Sequence, residues 1–123
     1  MATVDLTADT FDETIADNDI VLIDFWAEWC GPCRVFAPVY ESVSEKHDDI
    51  VFAKVDTESE RALAGRFGIR SIPTLAIFRE GIAIYAQPGA IPEEGLEDLI
   101  RQTRELDMDE VRRAIEDEDT SVA

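Results

Sequence analysis

With 123 residues, 46% of them hydrophobic, the chain is sized for one domain with a real core. Its formal charge of −17 repels phosphate backbones and anionic lipid heads, which argues against nucleic acid and membrane surfaces as partners. Such a charge favours solubility and can steer basic partners, although the simpler reading is a solvated acidic surface.

Met1 to Asp5 has no basic flank and no apolar run behind it, so no secretory leader is read there. The longest apolar run, Ile20 to Ala27, is too short to cross a bilayer and contains Asp24. The expected compartment is the cytoplasm, where thiols stay reduced. Short strands then alternate with helical patterns, which predicts an α/β sheet. Val4 begins an edge strand. Thr10 to Asp17 reads as a helix, with Thr10 and Glu13 spaced as a capping box. Ile20 to Ala27 (IVLIDFWA) reads as a strand buried on both faces. A helix follows from about Gly31 to His47, with Val35, Phe36, Val39, Tyr40 and Val43 at helical spacing. Pro32 suits its first turn, and Pro38 inside it predicts a kink. Ile50 to Val55 is a second buried strand. Ser59 to Phe67 is a short helix, with Gly68 as its stop. Thr74 to Phe78 and Ile82 to Ala86, joined at Glu80-Gly81, form an antiparallel hairpin. Pro92 opens a helix whose Leu96, Leu99 and Ile100 cover the sheet. Residues 1–104 make one domain. Residues 105–123 are an acidic extension with eight acidic residues and two arginines. There Leu106, Val111 and Ile115 predict a short helix to about Glu116, with disorder beyond.

The stretch WCGPC, Trp29 to Cys33, holds both cysteines. A bridge between residues so close would stabilise little, which points away from a structural staple. Cys30 follows a buried strand and starts a helix, where unpaired N–H groups and partial positive charge favour a thiolate. Cys33 lies three residues on, on the same helical face. The pair can therefore run thiol–disulfide exchange: Cys30 attacks a partner's disulfide, and Cys33 resolves the mixed disulfide. Gly31 lets a partner's backbone approach, Pro32 stiffens the turn, and Trp29 supplies an apolar wall. Two cysteines and one histidine are too few for a zinc site, and His47, in a polar helix end, is read as exposed. Two inert buried thiols are the remaining alternative.

Asp24 is costly inside VLIDFWA. Desolvation would raise its pKa and make it a proton acceptor for Cys33, through water. Lys54 is the matching oddity inside IVFAKV; a purely structural pair is the alternative. Pro73 begins a strand, and base rate makes the bond before it trans.

These residues resemble the thioredoxin family. The matches are DFWAEWCGPC, Ala37-Pro38, Ala53-Lys54-Val55-Asp56, Phe67-Gly68-Ile69-Arg70, Ile72-Pro73-Thr74, Phe78 with Gly81, and Gly89-Ala90, in family order over about Val4 to Arg104. CxxC alone would be weak evidence for this resemblance; WCGPC with Asp24 before it and Ile72-Pro73-Thr74 downstream is specific. The resemblance implies a central five-stranded mixed sheet flanked by four helices, here with a short acidic helical extension. It implies a cis Pro73 facing the sulfurs and an Ile72 backbone that pairs with a client chain. It implies an apolar docking surface of Trp29, Gly31, Pro32, Ile72, Pro73 and Gly89, and it matches Asp24 and Lys54 to the family's buried pair. It implies a general protein-disulfide reductase with no bound cofactor, the Cys30–Cys33 disulfide being the redox group. The implied electron source is an NADPH-dependent flavoprotein reductase, and the substrates are disulfide-containing client proteins. The chain departs from the pattern at Ser71, where Gly is frequent, and at Pro88, which removes a backbone donor near the docking rim. Ile91 also leaves the last family helix without a side-chain cap.

The sequence thus reads as a cytoplasmic, monomeric disulfide reductase. Its rival is a redox-independent binding module or holdase that uses the same docking surface and the acidic tail.

Overall fold

The computed structural model describes residues 2–122, and side chains as far as Glu118. Five strands run β1 (Thr3–Asp5), β2 (Ile20–Trp26), β3 (Val51–Asp56), β4 (Thr74–Arg79) and β5 (Ile82–Pro88). Five helices are α1 (Ala8–Asp17), α2 (Gly31–Ser44), α3 (Arg61–Arg66), α4 (Glu93–Glu105) and α5 (Met108–Val122). The strands form one sheet in the order β1-β3-β2-β4-β5. The β1–β3 and β2–β3 pairs are parallel; β2–β4 and β4–β5 are antiparallel.

Strand β2 sits at the centre because nearly all of it is apolar. Its odd residues Val21, Ile23 and Phe25 pack with Phe11, Leu63 and Phe78 on one side. Ile20 and Leu22 pack with Phe36, Tyr40, Val43, Leu96 and Ile100 on the other. Side chains alternate along a strand, so Asp24 shares the second face, the one covered by α2 and α4. Lys54 is its register partner on β3 and points the same way by the same count.

Several boundaries differ from the sequence reading. Helix α1 begins two residues earlier than expected, because Thr7 is its N-cap and the capping box pairs Thr7 with Thr10, not Thr10 with Glu13. Helix α2 stops at Ser44, short of His47. His47 is not simply exposed. Its ring stacks on Phe52, and its nitrogens bond Glu97 and Arg104. The chain leaves α3 through Gly68 at φ +62° and turns the hairpin through Glu80 and Gly81 at φ 51° and 79°. Helix α4 opens at Pro92 with no side-chain cap.

The extension is tied to the body. The Arg79 Nη1 donates to the carbonyls of Thr103 and Leu106 at 2.7 and 2.9 Å, supplying partners to α4's last turn. Arg112 reaches across to Glu80 at 2.6 Å, and Met108 is buried. Helical backbone continues past Glu116, where the sequence pointed to an end. Side chains from residue 119, and the whole of Ala123, lie outside the described residues. No described helix is long and apolar enough to cross a membrane.

Candidate active site

Strand β2 ends at Trp26, and the chain turns through Ala27 to Trp29 into α2. The Cys30 N–H bonds the Ala27 carbonyl at 3.2 Å and holds that turn. Cys30 is the N-cap of α2, and its sulfur accepts the Cys33 backbone N–H at 3.2 Å. This is the arrangement a thiolate would use: a sulfur at the positive end of a helix, bonded by an otherwise unpaired amide. Pro32 stands in the first turn, where the absent N–H costs nothing. Cys30 and Cys33 form a disulfide with a Cα–Cα distance of 5.2 Å.

Both sulfur-bearing residues are nearly covered, at 4% and 3% exposure. Accessibility therefore does not separate attacker from resolver; the amide bonded to Cys30 does. Around them Trp29 is 65% exposed, and Gly31 and Pro32 are open to solvent. The Trp29 indole N–H donates to Glu58 at 3.0 Å, which fixes the ring as a wall.

The loop before β4 closes the other side. The Ile72–Pro73 bond is cis, so the base-rate expectation of trans fails and the one drawn from the resemblance holds. The Ile72 carbonyl oxygen lies 3.6 Å from the Cys30 sulfur. Pro73 is buried, and its carbonyl accepts the Gly89 N–H at 2.8 Å. Gly89 takes φ +109°, which a side chain would strain, so glycine holds this rim against β4.

Asp24 has no exposed surface, and neither of its oxygens has a protein hydrogen-bond partner. Desolvation raises its carboxyl pKa to about 6; the positive charge of Lys54 acts the other way. Asp24 bonds neither cysteine directly, and it makes no ion pair with Lys54 within 4.0 Å. The Lys54 ammonium instead sits 4.8 Å from the centroid of the Trp26 ring, in a cavity of about 230 Å³ that Asp56 and Glu60 also line. The pair is thus coupled through space and not by contact.

Sequence reading overlooked three participants. Trp26 carries the Lys54 ammonium on its face; its place beside Asp24 was the available signal. Tyr40 counted only as an apolar helix residue, yet its fully buried hydroxyl donates to the Ala53 carbonyl at 2.7 Å. Burial, then the charge of Asp24, pushes its ionisation well up. Glu58, the partner of Trp29, gave no signal at all. Among the described residues, no group of three or more His, Cys, Asp or Glu side chains is placed to hold a metal ion.

The Thioredoxin family model matches residues 2–102. A Streptomyces coelicolor protein described as "Putative thioredoxin 2" is 61% identical over 114 residues, covering 93% of this chain and 85% of that one. "Thioredoxin 1" of Nostoc is 40% identical over 103 residues, covering 82% and 96%. Among solved structures, a mutant thioredoxin from Halobacterium salinarum superposes with a TM-score of 0.78 at 38% identity, covering 85% and 92%. By these matches the chain belongs to the thioredoxin family, oxidoreductases that act by thiol–disulfide exchange, and its redox group is the Cys30–Cys33 disulfide.

Proposed function

We propose that the reduced protein is a general reductant of client-protein disulfides, recharged by an NADPH-dependent flavoprotein reductase, and that it works as a cytoplasmic monomer. The observation that carries this reading is the Cys33 amide bonded to the Cys30 sulfur at the start of α2. Cys30, as thiolate, attacks a client S–S bond. One client sulfur leaves and takes a proton from solvent, and a Cys30–client mixed disulfide forms. Cys33 gives its proton through water to Asp24 and attacks the Cys30 sulfur; the second client sulfur leaves as a thiolate and takes that proton from Asp24 through water, which restores the carboxylate. Two electrons and two protons pass from the dithiol to the client, and the Cys30–Cys33 disulfide closes.

Asp24 suits the acceptor role because a carboxyl at about 6 is ionised near neutral pH yet close enough to take a thiol proton. It shares the α2 face of the sheet, and Cys33 is buried in the first turn of α2. Lys54 holds that carboxyl lower than burial alone would. Pro73 positions the client against the sulfurs, its carbonyl tied to Gly89 and the neighbouring Ile72 carbonyl set beside Cys30. Trp29, Gly31, Pro32, Ile72 and Gly89 form the docking surface.

Reduction of insulin, with NADPH and a flavoprotein reductase, tests the reading. Wild type turns over; Cys30→Ser and Cys33→Ser do not, and Cys33→Ser retains the client as a mixed disulfide. Full turnover by either serine variant, or none by wild type, refutes it and leaves a redox-independent binding module.

A further inference from the structure

Glu28 stands beside Trp29 on the docking face, but the clefts on the Ile72 side of that face have more basic than acidic lining residues, unlike the molecule as a whole. The chain carries 28 acidic residues against 11 basic ones. Most of its described basic side chains are matched by a carboxylate, as Arg66 is by Asp12 and Arg104 by Asp49. Among the described residues, four have no carboxylate within 4.0 Å: Lys54 over Trp26, Arg113 on the extension, and Arg34 and Arg70. Those last two are exposed and flank the site, Arg34 one residue after Cys33 and Arg70 two before Ile72.

Arg70 stands on the ridge between two clefts. One, of about 330 Å³, begins at Trp29 and Ile72 and runs along α3, with Ile69 in its wall and Arg61 on its far side. Its single carboxylate is Glu58, already the acceptor of the Trp29 N–H and 3.8 Å from an Arg61 that is 81% exposed. An exposed contact that long holds little energy, so Arg61 remains open to another anion. The second cleft, of about 230 Å³, runs from Phe67 to Pro88 past Arg70 and Ser71 and has no acidic lining residue. The wall beside the disulfide is therefore apolar near the sulfurs and cationic beyond them, on a surface otherwise anionic.

We propose that the Arg61–Arg70 cleft receives an acidic segment flanking the client's reactive cysteine, so that among disulfide clients this protein favours those with Asp or Glu beside the bond. The proposal rests on the exchange reading above and adds its substrate class. Lysine-bearing segments meet the opposite field at the same place. Selection acts at short range, because the total charge of −17 repels any acidic client before contact.

The test uses the full-length reduced protein and synthetic peptides, each with one disulfide flanked on both sides by Asp or by Asn. The readout is the ratio of kcat/KM for the Asp peptide to that for the Asn peptide at about 0.1 M salt, where charges more than about 10 Å away are screened. Arg70→Gln lowers that ratio roughly twofold to fivefold, the size of one exposed ion pair, and Arg61→Gln lowers it by a similar factor. Arg101→Gln, which removes the same charge from α4, leaves the ratio where it was. Equal falls in Arg70→Gln and Arg101→Gln would mean that net charge alone decides, and would overturn the proposal. No fall in either groove variant would overturn it as well. If wild type reduces neither peptide, the exchange reading fails first, and the cleft's role falls with it.

Discussion

Asp24→Asn separates the cost of a buried charge from everything else in the fold. The carboxyl pKa rises from 3.8 to about 6 through burial, with Lys54 only partly opposing the rise. About two units at 1.36 kcal/mol each amount to about 3 kcal/mol. The sign follows from proton binding. Between roughly pH 4 and 6 the native state holds a proton that the unfolded state has released, so Asp24 lowers stability as pH rises through that window. Well below it Asp24 is neutral in both states and the penalty is absent; above it the penalty is complete. Asparagine removes the titration but leaves a buried amide without partners, an offset of about 1–3 kcal/mol that does not vary with pH. The informative quantity is therefore the change with pH in the stability difference between variant and wild type. Urea unfolding of the oxidised proteins at pH 4, 5, 6 and 7 should show that difference moving in favour of asparagine by about 2 kcal/mol from the lowest to the highest pH, the rest of the penalty having developed below pH 4. The other carboxylates are common to both proteins and cancel. A difference that stays constant across the range would refute the assignment of a desolvated, titrating Asp24.

The same carboxyl should govern resolution. Release of the mixed disulfide slows as pH falls through about 6 in wild type, loses that dependence in Asp24→Asn, and shifts to higher pH in Lys54→Met, which removes the charge that lowers Asp24. Stopped-flow release kinetics across that pH range would show it. Arg79→Met leaves the carbonyls of Thr103 and Leu106 without their donor and should cost about 2 kcal/mol, read by thermal unfolding at pH 7. Met108→Ala should cost about 2 kcal/mol or more while insulin turnover is unchanged, because this side chain buries the extension and lies outside the site.

The sheet's centre was legible because β2 and β3 are written in apolar residues with a charge inside each, and those two charges proved to be register partners. The redox pair was legible because spacing and a strand-to-helix junction are local properties. What escaped depends on residues far apart in the chain or on choices that spacing leaves open. Thr7 and Thr10 compete with Thr10 and Glu13 for one helix start, and spacing alone does not choose between them. His47 looked solvated because Phe52, which it stacks on, belongs to the following strand. Arg79 reads as a strand-end cation; nothing local says that a helix terminus will arrive beside it. The cis bond at Pro73 goes against its base rate, and only the resemblance to a family pointed to it. The unpaired arginines flanking the site emerge only once the carboxylate partners of the seven matched basic side chains are known.

Titration of Cys30 in the reduced Cys33→Ser protein bears most directly on the chemistry. Serine removes the second thiol while residue 33 keeps its backbone N–H and α2 its first turn. Thiolate absorbance should then report a single group that ionises more readily than a free cysteine thiol, whose pKa is about 8.5. A Cys30 that ionises no more readily than free cysteine would contradict the account, since neither the amide nor the helix would then be preparing the nucleophile.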